Sequence, residues 1–375
     1  MAHVPPKALR ILALEPWYGG SHRAFLDGWR ARSRHALEVR GLPDRHWKWR
    51  MRGGAWELAR SLAESPPPDA LVASDYVDLP ALHGLLPSSW AGIPSVLYLH
   101  ENQLTYPSPG TRAERDHGYG FTNILSCLRA DRVVFNSGHH LESFAAAAGE
   151  LLRQLPRPNP REELDRALGR AEVIAPGVDL DAIPLGPGGS GPLRVLFAHR
   201  WEHDKDPRAF LEATREACSR GAELELVLLG QSYGERPPGV DALLSTLEGV
   251  IAHHGHLDER ADYAAILGTV DLAVSTALHE FFGIGIVEAL AAGAEPLLPA
   301  RLSYPEVAGE SLAPRVLYSD AEELVQRLVH HAADPAVLRD GAHRASLRRR
   351  AADWSLDATA TRLDDLLDDL CSSPR

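Results

Sequence analysis

The chain has 375 residues, 45% of them hydrophobic and 24% charged, with a formal net charge of −12. That length suits two domains better than one core, no apolar run reaches the roughly 18–20 residues of a membrane span, and the acidity argues against indiscriminate nucleic-acid binding. The three scattered cysteines (Cys127, Cys218, Cys371) fit neither a disulfide framework nor a zinc site, and Met1–Arg10 has no apolar h-region, so a cytoplasmic protein is expected.

Arg10-Ile11-Leu12-Ala13-Leu14 predicts a short buried strand that exits into the loop Glu15–His22. Gly19 and Gly20 allow that backbone close to a phosphate or a sugar, and Ser21 suits the N-cap of the helix expected next. Residues 21–60 then hold nine arginines and one lysine against four acids, a local excess of +6 that leaves −18 for the remainder. Trp29, Trp47, Trp49 and Trp56 are interleaved with these cations, most densely in Arg45-His46-Trp47-Lys48-Trp49-Arg50-Met51-Arg52. Cations hold phosphates and indole faces stack on bases, so the segment is a candidate RNA footprint. The competing assignment puts Trp29 and Trp56 in the core and the arginines on an ordinary surface.

Further strands are predicted at 69–73, 94–99, 131–135 and 171–174, with helical stretches between them. Such alternation implies a parallel sheet covered on both faces. Leu97-Tyr98-Leu99-His100-Glu101-Asn102-Gln103-Leu104 ends one strand in polar groups. His100 is placed there to bind a sugar or orient an acceptor hydroxyl, unless it is a satisfied structural histidine. Asn136-Ser137-Gly138 ends the next strand and is expected on the acceptor side. Residues 179–192 are rich in Gly and Pro, and Gly186–Pro192 within them reads as a linker.

After the linker the pattern restarts, with strands near 193–198, 223–229, 250–254, 270–274 and 295–298. Two doubly wound α/β sheets joined in this way predict a cleft with ligands at the carboxyl ends of the strands. The expected bounds are 1–185 for an acceptor-binding domain and 186–345 for a nucleotide-sugar-binding domain. A helical segment, 346–375, would pack back on the first. The cluster Arg344–Arg350 reads as a solvated helix face, and a helix break is expected near Asp353-Trp354-Ser355.

The densest chemistry follows the strand at 270–274, in His279-Glu280-Phe281-Phe282-Gly283-Ile284-Gly285-Ile286-Val287-Glu288. This spells strand, loop, then a helix starting near Gly283, whose unpaired N–H groups and dipole suit a phosphate. Glycines at 283 and 285 let the backbone approach a pyrophosphate. Glu280 in the loop and Glu288 inside the helix can reach opposite ends of a nucleotide-sugar, and carboxylates in so apolar a run need a partner or a task. Upstream, Arg200 and Lys205 leave the strand at 193–198 and are placed to neutralise a diphosphate.

Metal ligation is weakly supported. His253 and His254 face opposite ways along a strand, and Asp204-Lys205-Asp206 and Asp179-Leu180-Asp181 are strings too short to be specific. No catalytic metal is expected.

Together these residues resemble the retaining, group 4-type GT-B glycosyltransferases, whose E-x7-E pair is matched by Glu280 and Glu288 and whose upstream Arg and Lys are matched by Arg200 and Lys205. The blocks Leu14–His22, Trp47–Gly54, Tyr98–Pro107 and Phe135–Ser137 narrow the resemblance, which spans about 10–310, to the tRNA-queuosine α-mannosyltransferases. The resemblance implies two Rossmann-like domains facing a central cleft, GDP-mannose as donor, queuosine in the anticodon of tRNA-Asp as acceptor, and no metal. It implies that Lys205 and Arg200, with Phe282, Gly283 and Ile284, hold the departing diphosphate beside Gly20 and Ser21. Glu288 would bind the ribose and Glu280 the donor sugar hydroxyls, with His100 catalytic at the sugar or at the acceptor hydroxyl. His22, Trp47, Lys48, Trp49, Arg50, Arg52, Gln103 and Asn136 would meet the acceptor. Rival assignments are a relative using another nucleotide-sugar or a small-molecule or glycan acceptor, and a nucleotide-sugar-binding protein that transfers nothing.

Overall fold

The computed structural model describes residues 8–107, 116–231 and 236–372. Two compact units emerge, Met1–Gly177 with Leu356–Arg375, and Val178–Ser355. The chain crosses between them at 177/178 and 355/356, where the sequence suggested 185/186 and 345/346.

The first unit carries a six-stranded parallel sheet built from β1 (Arg10–Glu15), β2 (Ala36–Gly41), β3 (Ala70–Ser74), β4 (Ser95–Leu99), β5 (Arg132–Phe135) and β6 (Glu172–Val173), in the order β2-β1-β3-β4-β5-β6. Alternate residues face opposite ways along a strand, and both sets are apolar here. Leu12, Leu14, Leu71, Ala73, Leu97 and Leu99 enter one core, while Ile11, Ala13, Ala70, Val72, Val96 and Tyr98 enter the other. The second core is closed by Phe25, Leu26 and Trp29 of α1 (Gly20–Arg32) and by Leu363, Leu366, Leu367 and Leu370 of the C-terminal helix Leu356–Ser372. Asp364 of that helix is 2% exposed and accepts from Trp29 Nε1 at 2.9 Å, Ser33 Oγ at 2.8 Å and the Arg34 N–H at 2.8 Å.

The second unit carries β7 (Leu193–Phe197), β8 (Leu224–Leu228), β9 (Ile251–His254), β10 (Leu272–Val274), β11 (Glu295–Pro299) and β12 (Leu317–Tyr318). All are parallel in the order β12-β11-β10-β7-β8-β9. Numbered within the unit this is 3-2-1-4-5-6, the order of doubly wound dinucleotide-binding sheets.

Five expectations change. β2 was not predicted, because an edge strand with the burial pattern of Ala36–Gly41 shows only Leu37 as a fully buried apolar residue. Two-residue β12 escapes any periodicity. Ser21 is not an N-cap: α1 begins at Gly20, with Gly19 as its cap and no side-chain cap bond. The expected linker is wired into the second unit, where Gly186 N–H donates to Ala292 O at 3.0 Å and Gly189 N–H to the Asp271 carboxylate at 2.8 Å. Arg344 belongs to the same wiring and is 1% exposed rather than solvated. Among the described residues no helix is long and apolar enough to cross a membrane.

Candidate active site

In the second unit β7 and β10 are neighbours, yet β7 leads toward β8 on one side and β10 toward β11 on the other. The loops leaving them part, and such a point is where doubly wound sheets bind ligands. Residues 198–206 and 275–283, which carry most of the predicted donor site, form these loops. They are stitched together from beneath. Thr276 Oγ1 donates to Lys205 O at 3.0 Å and Asp206 O at 2.8 Å, and the N–H groups of Leu278 and His279 donate to Asp204 O at 2.8 and 3.1 Å.

This stitching sets Lys205 against Glu280. Lys205 Nζ donates to His279 O at 2.7 Å and to Glu280 Oε2 at 3.2 Å, and lies 3.2 Å from Asp204 Oδ2. Glu280 Oε1 accepts the N–H groups of Phe281 and Phe282 at 3.1 and 3.4 Å. Burial opposes the charge on Glu280, but Lys205, His199 and these hydrogen bonds outweigh it and hold the carboxyl down to about 2. Burial likewise works against the Lys205 ammonium, while Glu280 and Asp204 raise it. Arg200 meets Glu202 at 3.0 Å and Asp204 at 3.8 Å. A carboxylate, an ammonium and a guanidinium thus share the mouth of the sheet.

Gly283 caps the helix Ile284–Ala292 with φ of 96°, left-handed backbone that only glycine adopts cheaply, and a Cβ there would meet Tyr304 at 3.2 Å. A Cβ on Gly285 would lie 3.4 Å from Ala198 O, so the helix start abuts the end of β7. Glu288 lies one turn further in, where Arg260 Nη2 donates to it at 2.6 Å and Tyr263 Oη at 2.8 Å. Nothing in the residue pattern hints at these two partners, at the Asp204 carbonyl, or at Arg301, which braces Thr276 O and Ala277 O. All act across 25 or more residues of chain or through backbone, where spacing is silent. Asp204-Lys205-Asp206 resolves into separate tasks, since Asp206 caps the helix Pro207–Ser219 by accepting the Ala209 N–H at 3.2 Å.

In the first unit β1, β3 and β4 are adjacent, and their ends gather Glu15, His22, Asp75, His100 and Glu101. His22 Nδ1 lies 2.9 Å from Glu15 Oε2, and its ring centroid is 4.2 Å from that of His100. Burial disfavours charge on His22, but Glu15, with help from Asp75 and Glu101, lifts it to about 9. Burial and the neighbouring His22 and His140 push His100 well below its ordinary value. A charged imidazole beside a neutral one can bind and orient a hydroxyl. Below them, Asp75 Oδ1 accepts the His100 N–H at 2.8 Å, Asn123 Oδ1 accepts the Gln103 N–H at 3.0 Å, and Asn136 Nδ2 donates to His100 O at 2.8 Å. Asn136 is 5% exposed and therefore supports His100 from within. Gln103 Nε2 donates to Glu101 at 3.0 Å. Gly20 has φ of 50° with open space where a side chain would stand, and Ser21 beside it is exposed.

Because His22 is raised from 6.5 to about 9, the stability it contributes is complete below pH 6.5 and is lost as pH rises through 9. The difference corresponds to about 3 kcal/mol. Urea midpoints of the wild type should fall between pH 6.5 and 9, and His22→Gln should remove that fall; an unchanged slope would contradict the assignment.

The basic, Trp-bearing segment forms the first turns of α2 (Trp47–Ser61). Trp47, Trp49 and Trp56 are exposed by 37%, 56% and 47%, whereas Trp29 is fully buried. Lys48 and Arg52 are exposed with them, and Arg52 stacks 4.5 Å over Tyr119. Arg50 turns inward to Pro43 O at 3.0 Å and Glu57 at 2.8 Å, so it braces the helix instead of presenting a charge.

Comparison with known proteins follows the same division. Residues 10–178 match the family described as tRNA-queuosine alpha-mannosyltransferase N-terminal, and residues 189–351 match the glycosyl transferases group 1. The tRNA-queuosine alpha-mannosyltransferase of Drosophila melanogaster is 32% identical over 343 residues, 88% of either chain. The GDP-mannose:cellobiosyl-diphosphopolyprenol alpha-mannosyltransferase of Xanthomonas oryzae pv. oryzae is 29% identical over 63% of this chain and 62% of its own. Among solved structures, a sucrose-phosphate synthase from Thermosynechococcus elongatus superposes with a TM-score of 0.73 at 15% identity, covering 96% of this chain and 99% of that one. Anabaena HepE in complex with UDP-glucose gives 0.70 at 17% identity, covering 96% of this chain and 100% of that one. These two likenesses show the fold, a pair of Rossmann-like sheets of GT-B type.

Proposed function

The chain belongs to the tRNA-queuosine alpha-mannosyltransferase family of glycosyltransferases, and from that premise we propose that it moves mannose from GDP-mannose to queuosine in the anticodon of tRNA-Asp, in the cytoplasm. Identity to the Drosophila enzyme along most of both chains supports the acceptor, and the GDP-mannose named for the Xanthomonas relative supports the donor. The observation that carries the chemistry is the Lys205–Glu280 contact at the β7/β10 divide.

In this mechanism the anomeric C–O bond to the diphosphate breaks while an acceptor hydroxyl forms a new bond on the same face, so configuration is retained. The acceptor proton passes to the leaving phosphate. Lys205 and Arg200 offset the charge that grows on the diphosphate, aided by the backbone of Phe282, Gly283 and Ile284 at the helix start. With two cations assigned to that charge, no metal is required. Glu280 binds the sugar hydroxyls and Glu288 the ribose; Arg260 and Tyr263 leave it lone pairs to spare. His100 and His22 orient the acceptor with Gln103, Gly20 and Ser21 close by, while Trp47, Lys48, Trp49 and Arg52 meet the RNA.

Mass spectrometry of nucleosides from queuosine-containing tRNA-Asp, incubated with the protein and GDP-mannose, tests the proposal. One hexose added to queuosine is expected; donor hydrolysis without that product would discard the acceptor. A triple variant, Trp49→Ala, Lys48→Ala and Arg52→Ala, should raise KM for tRNA about tenfold or more and flatten its salt dependence by roughly two phosphate contacts. An unchanged salt slope would remove α2 from the RNA interface.

A further inference from the structure

Glu15, Asp75 and Glu101 crowd the ends of β1, β3 and β4, and burial, Glu101 and Glu15 push Asp75 well above its ordinary value while His22 pulls it down. One imidazolium therefore faces three carboxyl groups. Glu15 and Asp75 are fully buried, and Glu15 is already committed to His22 at 2.9 Å, to Ser74 Oγ at 2.9 Å and to the Trp17 N–H at 2.8 Å. Asp75 differs. Its Oδ1 accepts the His100 N–H, but its Oδ2, equally buried, has no hydrogen-bond partner among the described residues. A buried carboxyl oxygen without a partner is costly, and a cation seated against it would favour the ionised form that burial disfavours.

The walls fit a cation. Trp17 and Tyr76 stack at 5.7 Å, and His22 meets Tyr76 edge-on at 5.8 Å. Aromatic rings beside carboxyl groups are one means of holding an ammonium. Tyr76 Oη donates to Glu101 at 3.0 Å, and Glu101 and His100, both partly exposed, lie at the open side.

We propose that Asp75, Glu101, Tyr76 and Trp17 form a pocket for a protonated amine of the acceptor. This rests on the queuosine assignment: queuosine joins its cyclopentenediol to the base through a secondary amine, which is cationic near neutral pH. Seating that nitrogen over Asp75 brings the ring hydroxyls toward His22 and His100. The pocket thereby selects the acceptor by charge, and unmodified guanosine, with no such amine, lacks the anchor.

The test is calorimetry with two probes in the presence of GDP: the free base of queuosine, and its analogue with the amine nitrogen replaced by ether oxygen. The wild type should bind the amine at least tenfold more tightly, and Asp75→Asn should bring the ratio near one. Should Asp75→Asn fail to fold, Glu101→Gln at the partly exposed side should cut the ratio severalfold. Equal binding of the two probes by the wild type, binding of neither, or a preference that survives both substitutions would overturn the pocket. So would a stoichiometric divalent ion lost on Asp75→Asn, since ligand atoms of Glu15, His22 and His100 lie within 4.8 Å of one another. Transfer to queuosine tRNA is measured alongside. Amine preference without transfer keeps the pocket and discards the acceptor, and transfer without preference does the reverse.

Discussion

Replacing Glu280 by glutamine is expected to lower turnover by a factor on the order of 10²–10³ while GDP still binds within severalfold of wild type. Glutamine keeps the size of the side chain and loses its charge. It also loses an acceptor at one end, because Oε1 receives two backbone N–H groups and Oε2 receives Lys205 Nζ. Whichever way the amide turns, its NH2 faces a donor. The side chain therefore leaves the position in which it could hold sugar hydroxyls, and Lys205, 10% exposed, keeps Asp204 as its counter-ion. Phosphate binding survives, because Arg200, Lys205 and the helix start at Gly283 do not need Glu280. Lys205→Met should do the opposite and weaken GDP binding along with turnover. Single-turnover transfer and GDP calorimetry separate the two, and Glu280→Gln retaining a tenth of wild-type turnover would refute its role at the sugar.

The sequence carried the sheets well because each central strand is a short apolar run between polar exits, as in Ala70–Ser74 and Leu224–Leu228. It also carried the donor loops, since Lys205 and Glu280 both sit just past such runs, and their meeting depends on which strands are neighbours. It was mute on that adjacency. β7 and β10 lie side by side although β8 and β9 intervene in the chain, so the backbone acceptors and the Arg260–Tyr263 clamp on Glu288 had no local trace. Composition alone left the α2 tryptophans undecided. Burial separates Trp29 from Trp49 and Trp56, and Gly53 explains how Trp49 lies along the helix, since a Cβ there would stand 2.6 Å from the indole. Asp75 escaped notice because nothing around Ser74-Asp75-Tyr76 distinguishes it from an ordinary strand end. The basic cluster at 344–350 misled for a related reason, because a run of arginines looks the same whether it meets water or carbonyl oxygens.

Arg344→Ala should be the most destabilising single change in the second unit, by about 3–5 kcal/mol. The guanidinium donates from Nε to Gly186 O at 2.7 Å, from Nη1 to Val270 O at 3.0 Å and from Nη2 to Ala292 O at 2.9 Å. Burial pulls its pKa below the ordinary value, against the pull of Asp271, and the planar fork matches three carbonyls at once. Alanine withdraws the charged donor from all three and leaves Ala292 O only the Gly186 N–H, and lysine cannot reproduce the fork, so Arg344→Lys should recover little. The exposed Arg349, five residues on, is the control and should cost no more than about 0.5 kcal/mol as alanine. The consequence reaches the site along one helix: Ala292 ends the helix that Gly283 begins, and loosening its C-terminal end frees the N-terminal end that is proposed to hold the diphosphate. Calorimetric melting should show the second unit unfolding at lower temperature in Arg344→Ala, with GDP restoring less of the loss than it adds to wild type. Melting of Arg344→Ala indistinguishable from Arg349→Ala would mean that water replaces the guanidinium at no cost, and that the segment 186–192 is the plain linker its composition suggests.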